Sequence, residues 1–193
     1  MTSFAKTIAA ERPEEIALRD PRQALTWLDV DNVLNRAANA IRLADTGPDL
    51  RIAVFAENGV ETALANLGGL IGGASVVPIN FHLTAEEVAY ILSDSGARMV
   101  FLGPETAERG LEAAALAGID QIIGWRCEIP GLKSWSEWLA ASSPEEPDTS
   151  IPPRPNLLYT SGTTGRPKGT HLPPTMFAGG DTVEAHLQNL KLN

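Results

Sequence analysis

From Arg51 to Ile123 short apolar runs alternate with stretches of helical periodicity, and this alternation restricts the folds open to the chain more than any other feature. Arg51–Ala56, Ser75–Ile79, Arg98–Leu102 and Asp120–Ile123 read as strands, and Val60–Leu70, Thr84–Leu92 and Thr106–Ala117 as helices. Strands that are apolar throughout are buried on both faces, and a helix between successive strands is the connection that parallel neighbours require. The expected fold is α/β: a doubly wound, mainly parallel sheet with helices on both faces. Thr84 followed by Glu87 forms a capping box, so residues 80–83 are a loop feeding that helix.

On the N-terminal side, Ile16–Leu18 and Ala24–Thr26 are short strands joined by a turn at Asp20-Pro21-Arg22. Thr26 and Asp29 form a second capping box. Trp27, Val30, Leu34, Ala37, Ala38 and Ile41 then recur at helical spacing, predicting a helix that ends near Gly47-Pro48 with Trp27 as a core anchor. Gly68, Gly69, Gly72 and Gly73 could suggest a phosphate cradle. They lack the strand-turn-helix order and the later acidic partner of a dinucleotide fingerprint, and close packing of helix on sheet accounts for them better.

Ser134–Ala141 predicts a helix that puts Trp135 and Trp138 on nearly the same face as packing residues. The proline- and acid-rich segment 142–155 cannot hold a helix or a central strand and reads as an extended connector. The expected organisation is therefore an α/β subdomain over 1–141, a connector over 142–155, and a phosphate-loop hairpin with a following helix over 156–193, the start of an incomplete second subdomain. In that last part Asn156–Thr160 is a strand, Thr170–Leu172 its hairpin partner, and Thr175 onward a helix with Val183, Leu187 and Leu190 on one side.

The hairpin tip carries the chemistry. In Tyr159-Thr160-Ser161-Gly162-Thr163-Thr164-Gly165-Arg166-Pro167-Lys168-Gly169, glycines permit tight curvature and close backbone approach, hydroxyls supply rotatable donors, and Lys168 supplies a mobile positive charge. That combination suits phosphate. The Walker loop is excluded, because it needs Gly before and Ser or Thr after its lysine, whereas Pro167 and Gly169 flank Lys168.

This string resembles the phosphate-loop signature of the adenylate-forming superfamily: acyl-CoA synthetases, luciferases and peptide-synthetase adenylation domains. Val77-Pro78-Ile79-Asn80, Leu83 to Glu87, Ser93 to Ala97 and Ile16 to Asp20 resemble the same superfamily, so that the similarity runs from near the N-terminus to Gly169. Among its members the chain is most like the N-terminal portion of an AMP-forming fatty-acid–CoA ligase. The resemblance implies ATP, Mg2+ and coenzyme A as cofactors and a fatty carboxylate as substrate, converted to an acyl-adenylate and then transferred to a thiol. It assigns nucleotide binding to Thr160, Ser161, Gly162, Thr163, Thr164, Gly165 and Lys168, leaves Tyr159 to anchor its strand, and gives Arg166 a variable position.

The superfamily's later motifs are not found in these 193 residues: the aromatic-Gly-x-Thr-Glu segment, the ribose-binding aspartate, the hinge and the adenylation lysine, a role that Lys191 cannot take. The expectation is an N-terminal fragment inactive by itself, with no catalytic residue and no metal ligand of its own. The alternatives are a fatty-acyl-AMP ligase feeding a carrier protein, and a non-catalytic truncated nucleotide-binding or interaction module. Truncation would leave an open face for self-association.

A net charge of −9 argues against broad nucleic-acid binding, and Cys127, alone, can form no internal disulfide, which favours the cytoplasm. No apolar stretch is long enough to span a bilayer. His82, His171 and His186 lack partners at metal spacing and are assigned no chemistry.

Overall fold

The computed structural model describes residues 4–127, 132–160, 167–171 and 181–185. Helix α1 (Phe4–Glu11) precedes an antiparallel ribbon of β1 (Ile16–Arg19) and β2 (Ala24–Thr26). The ribbon's turn is set by Asp20, whose Oδ1 accepts from the backbone of Arg22 (2.8 Å) and Gln23 (3.0 Å). Helix α2 (Trp27–Leu43) opens with both halves of the predicted Thr26/Asp29 capping box in place.

Trp27 departs from expectation: it is half-buried and belongs to neither buried cluster. The amides of Trp27 and Leu28 bond to Glu15 O (3.0 Å) and Pro13 O (3.2 Å), so the first turn of α2 lies against the polar segment after α1. The buried stripe starts one turn later, at Val30, and continues through Leu34, Ala37, Ala38 and Ile41. The helix also stops at Leu43, short of Gly47, with Ala44 capping it in extended conformation.

The predicted alternation follows as β3 (Arg51–Phe55), α3 (Val60–Ile71), β4 (Ser75–Ile79), α4 (Ala85–Ser95), β5 (Met99–Leu102), α5 (Ala107–Ala117) and β6 (Gln121–Gly124). A two-residue strand, β7 (Lys133–Ser134), leads into α6 (Trp135–Ala140). The five strands form one all-parallel sheet in the order β4-β3-β5-β6-β7. Because side chains alternate across a strand, the sheet has two cores. Ile52, Val54, Val76, Met99, Phe101 and Ile123 face α1, α2, α3 and α6, whereas Ala53, Phe55, Val77, Val100 and Leu102 face α4 and α5.

The glycine cluster is a packing device. A Cβ on Gly68 would lie 2.7 Å from Ala37 Cβ, and one on Gly69 2.7 Å from Ile52 Cδ1 and Val76 Cγ2, so α3 lies closer to α2 and to the sheet than alanine permits. The two tryptophans of α6 stack at 5.3 Å, and Phe101 meets both edge-on.

Segment 142–155 has no helix or strand, as its prolines require, but it is fastened along its length. Arg36 donates to Ser142 O (2.6 Å), Asn39 to Ser143 O (3.0 Å) and Glu145 O (2.8 Å), and Arg42 to Asp148 O. These side chains, three apart on one face of α2, supply the donors that a ladder would otherwise supply to the connector's carbonyls. The connector in turn holds residues 181–185: Val183 N donates to Ile151 O (2.7 Å) and Glu184 N to Thr149 O (3.0 Å). Residues 183–185 are helical, and the remainder of the helix expected after Thr175 lies outside the described residues.

Candidate functional site

In a sheet of this order the first ligand position to consider is the crevice at the strand C-termini where the winding reverses, here between β3 and β5. The chain fills that crevice itself. Glu57, two residues after β3, is buried, and its carboxylate lies against Gly103, where a Cβ would force it to shift. Thr106 Oγ1 donates to Phe55 O (2.6 Å) and accepts from Gly103 N (3.1 Å), closing the turn between β5 and α5 onto the end of β3. Beside it, Arg126 pairs with Glu61 and with Asp20 (3.5 Å). Burial, then the charge of Glu57, pushes the Cys127 thiol up, so it remains protonated and weakly nucleophilic at neutral pH.

The hairpin expected to bind phosphate lies elsewhere. Ser75 Oγ donates to Pro155 O (2.8 Å) and Arg154 Nη1 to Gly73 O (2.8 Å), bringing the chain alongside the start of β4. Strands β8 (Leu157–Thr160) and β9 (Lys168–His171) then pair antiparallel, Leu157 with His171, Tyr159 with Gly169, and Thr160 with Lys168. Directly opposed residues share a face, and the face alternates along the strand.

Leu157 and Tyr159 therefore point one way, into the core beneath α4 and α5, with Leu157 buried and Tyr159 partly so. Thr160 and Lys168 point the other way, side by side, and both are exposed. No ion pair among the described residues engages Lys168. The β8–β9 pairing begins two residues earlier in β9 than expected, at Lys168, and this places the lysine at the mouth of the loop on the ladder itself.

Tyr159 anchors its strand, in accord with the sequence. Its hydroxyl donates to Asp94 Oδ2 at 2.6 Å, and burial together with the bond and charge of Asp94 raises its pKa above the ordinary value of 10.0. Nothing in the sequence pairs these two residues. Of the residues expected to bind nucleotide, Thr160 and Lys168 are brought together, while Ser161, Gly162, Thr163, Thr164 and Gly165 lie outside the described residues. His82 is exposed against the Phe81 ring, at 4.0 Å between centroids. Among the described residues no three His, Cys, Asp or Glu side chains converge as metal donors, and no helix is long and apolar enough to cross a membrane.

An all-parallel sheet wound on both faces, with a glycine- and hydroxyl-rich hairpin packed beside it, matches the arrangement expected for the N-terminal layer of an adenylate-forming enzyme. The AMP-binding enzyme family model matches residues 5–174, and the chain belongs to that family. It is 35% identical over 147 residues to the long-chain-fatty-acid–CoA ligase FadD13 of Mycobacterium tuberculosis, covering 75% of this chain and 29% of that protein. It is 31% identical over 172 residues to the fatty acid–[acyl-carrier-protein] ligase ScoC of Streptomyces coeruleorubidus, covering 88% and 32%. Among solved structures, the inhibitor-bound N-terminal domain of FACL13 from Mycobacterium tuberculosis superposes with a TM-score of 0.72 at 28% identity, covering 89% of this chain and 44% of that one. The chain thus spans about a third or less of the curated relatives it matches, and corresponds to the N-terminal part of the fatty-acid–CoA ligase.

Proposed function

We propose that these 193 residues supply the polyphosphate-binding part of an AMP-forming acyl-CoA synthetase, and that the chain alone does not complete catalysis. The observation that carries this reading is the hairpin register, which sets Thr160 beside Lys168 on the exposed face while the opposite face is held by the core. Activation of a carboxylate at the α-phosphorus of ATP builds negative charge on the departing pyrophosphate. An ammonium and a hydroxyl placed at that charge lower the barrier without any nucleophilic side chain.

Thr160 and Lys168 take this role, and Ser161, Gly162, Thr163, Thr164 and Gly165 complete the cradle through hydroxyl and backbone donors. Magnesium would arrive with the nucleotide and share the neutralisation of phosphate charge. The substrate class is a fatty carboxylate, and coenzyme A is the acceptor. Likeness to a carrier-protein ligase at 31% identity supports a second acceptor, a carrier-protein thiol. The lone cysteine supports a cytoplasmic setting. The division at 141 and 155 into subdomain, connector and hairpin unit, and self-association of the chain, belong to the same proposal.

The deciding assay is carboxylate-dependent ATP–pyrophosphate exchange across a panel of fatty and aromatic acids. The protein as its source cell makes it should exchange with fatty acids, and Lys168→Ala should lose about a hundredfold in rate, as expected for an oriented donor at developing charge. The isolated chain should not exchange. Exchange by the 193 residues alone would overturn the division of labour, and exchange indifferent to Lys168→Ala would overturn the role of the hairpin.

A further inference from the structure

The hairpin is a two-stranded sheet of its own, and among the described residues no backbone ladder joins it to the five-stranded sheet. The bonds at Arg154 and Pro155 fix where the hairpin starts, and side chains must fix the position of its far end. Leu157 contributes buried apolar contact, which is non-directional and tolerates sliding and rotation. The bond from Tyr159 to Asp94 is directional, spans 65 residues of sequence, and sits one residue before Thr160.

We propose that the Tyr159–Asp94 hydrogen bond is the clamp that positions the phosphate hairpin, making both side chains positioning residues for the nucleotide site. This rests on the ATP reading given above. Both ends of the clamp are prepared. Asp94 lies in the last turn of α4, whose first turn is fixed by the Thr84/Glu87 capping box and whose last turn is held by Arg51 bonding to Ser95 O. Arg109 secures the loop that feeds α4, donating to Phe81 O (2.9 Å) and Leu83 O.

On the hairpin, Gly169 faces Tyr159, and a Cβ there would lie 3.2 Å from the ring's Cζ. The absent side chain lets the ring pass over the partner strand toward α4. The ring thus couples β9, and with it Lys168, to the same fixed point. The Tyr159 hydroxyl remains protonated well past neutral pH, so the donor is always available.

The test uses the whole protein as made by its source cell, with Tyr159→Phe, Asp94→Ala, Asp94→Asn and the double variant Tyr159→Phe/Asp94→Ala. Amide hydrogen exchange without nucleotide reads the clamp directly. Tyr159→Phe and Asp94→Ala should each speed exchange in residues 157–160 and 168–171 by about fivefold, the ratio for one net hydrogen bond. The double variant should add nothing. Asp94→Asn, which retains a carbonyl acceptor, should recover most of the protection.

Steady-state kinetics then reads positioning: kcat/KM for ATP should fall by a similar factor while KM for the carboxylate stays unchanged. Unaltered exchange in the single variants, additive losses in the double variant, or equal losses toward both substrates would overturn the clamp. Failure of the unaltered protein to bind ATP would refute the nucleotide reading, and the exchange rates would still decide whether the clamp exists.

Discussion

Replacing Gly68 with alanine isolates the packing that holds the two-sided sheet together. The new Cβ would meet Ala37 Cβ at 2.7 Å, about 1 Å inside the distance at which carbon atoms pack comfortably. Both atoms are bonded directly to backbone, so no rotamer relieves the contact, and α3 must separate from α2. Overpacking of this kind costs about 1–3 kcal/mol. The gain in helix propensity on replacing glycine, about 1 kcal/mol, offsets part of it. The net expectation is a loss of up to about 2 kcal/mol, read from urea unfolding of the chain followed by far-UV circular dichroism.

A second-site change sharpens the test. Ala37→Gly removes the atom that Gly68→Ala strikes. In that background Gly68→Ala should lose its penalty and show the propensity gain, giving a coupling of at least about 1 kcal/mol between the sites. Nucleotide affinity should not move, because these glycines pack helices and hold no phosphate. Stabilisation by Gly68→Ala in the otherwise unaltered chain would refute the close-packing argument, and a loss of ATP affinity without loss of stability would restore the cradle reading.

Two further outcomes follow from the packing and the charge pairs. Phe101→Ala empties the space beside the stacked Trp135 and Trp138 and should cost about 3–5 kcal/mol, with a change in the near-UV signal of those rings. Asp20 is held below its ordinary value of 3.8 by the amides of Arg22, Val60 and Gln23 and by Arg126. A depressed carboxylate adds stability that is present above 3.8 and lost as pH falls through the lower folded value. Asp20→Asn should accordingly flatten the acid side of the urea midpoint against pH, and its curve should converge with that of the unaltered chain in acid.

The fold was legible where local patterns and burial agree. Apolar strands between helical stretches specified every central strand from β3 to β6 within a residue or two, and Thr26/Asp29 and Thr84/Glu87 announced their helix starts. Trp27 misled because periodicity assigns a residue to a face without saying whether that turn reaches the sheet. Helix α1 and the two-residue β7 lack strong signals of their own, the first being short and the second pairing only through Ile123 and Gly124.

The connector read correctly as non-regular, yet its fastening by Arg36, Asn39 and Arg42 depends on side chains about a hundred residues away, for which no local pattern exists. The same holds for the site. The loop's composition suggests phosphate, whereas the bond from Tyr159 to Asp94 emerges only once α4 is folded.

The most direct test of the account is an equilibrium titration of the protein with Mg-ATP, comparing the unaltered form with Lys168→Ala. A charge-assisted contact to phosphate contributes about 1.5–3 kcal/mol, so affinity should fall by at least about tenfold, with the unfolding midpoint in the absence of nucleotide unchanged because the lysine is exposed. Equal affinity for the two forms would contradict the assignment of the polyphosphate to this hairpin.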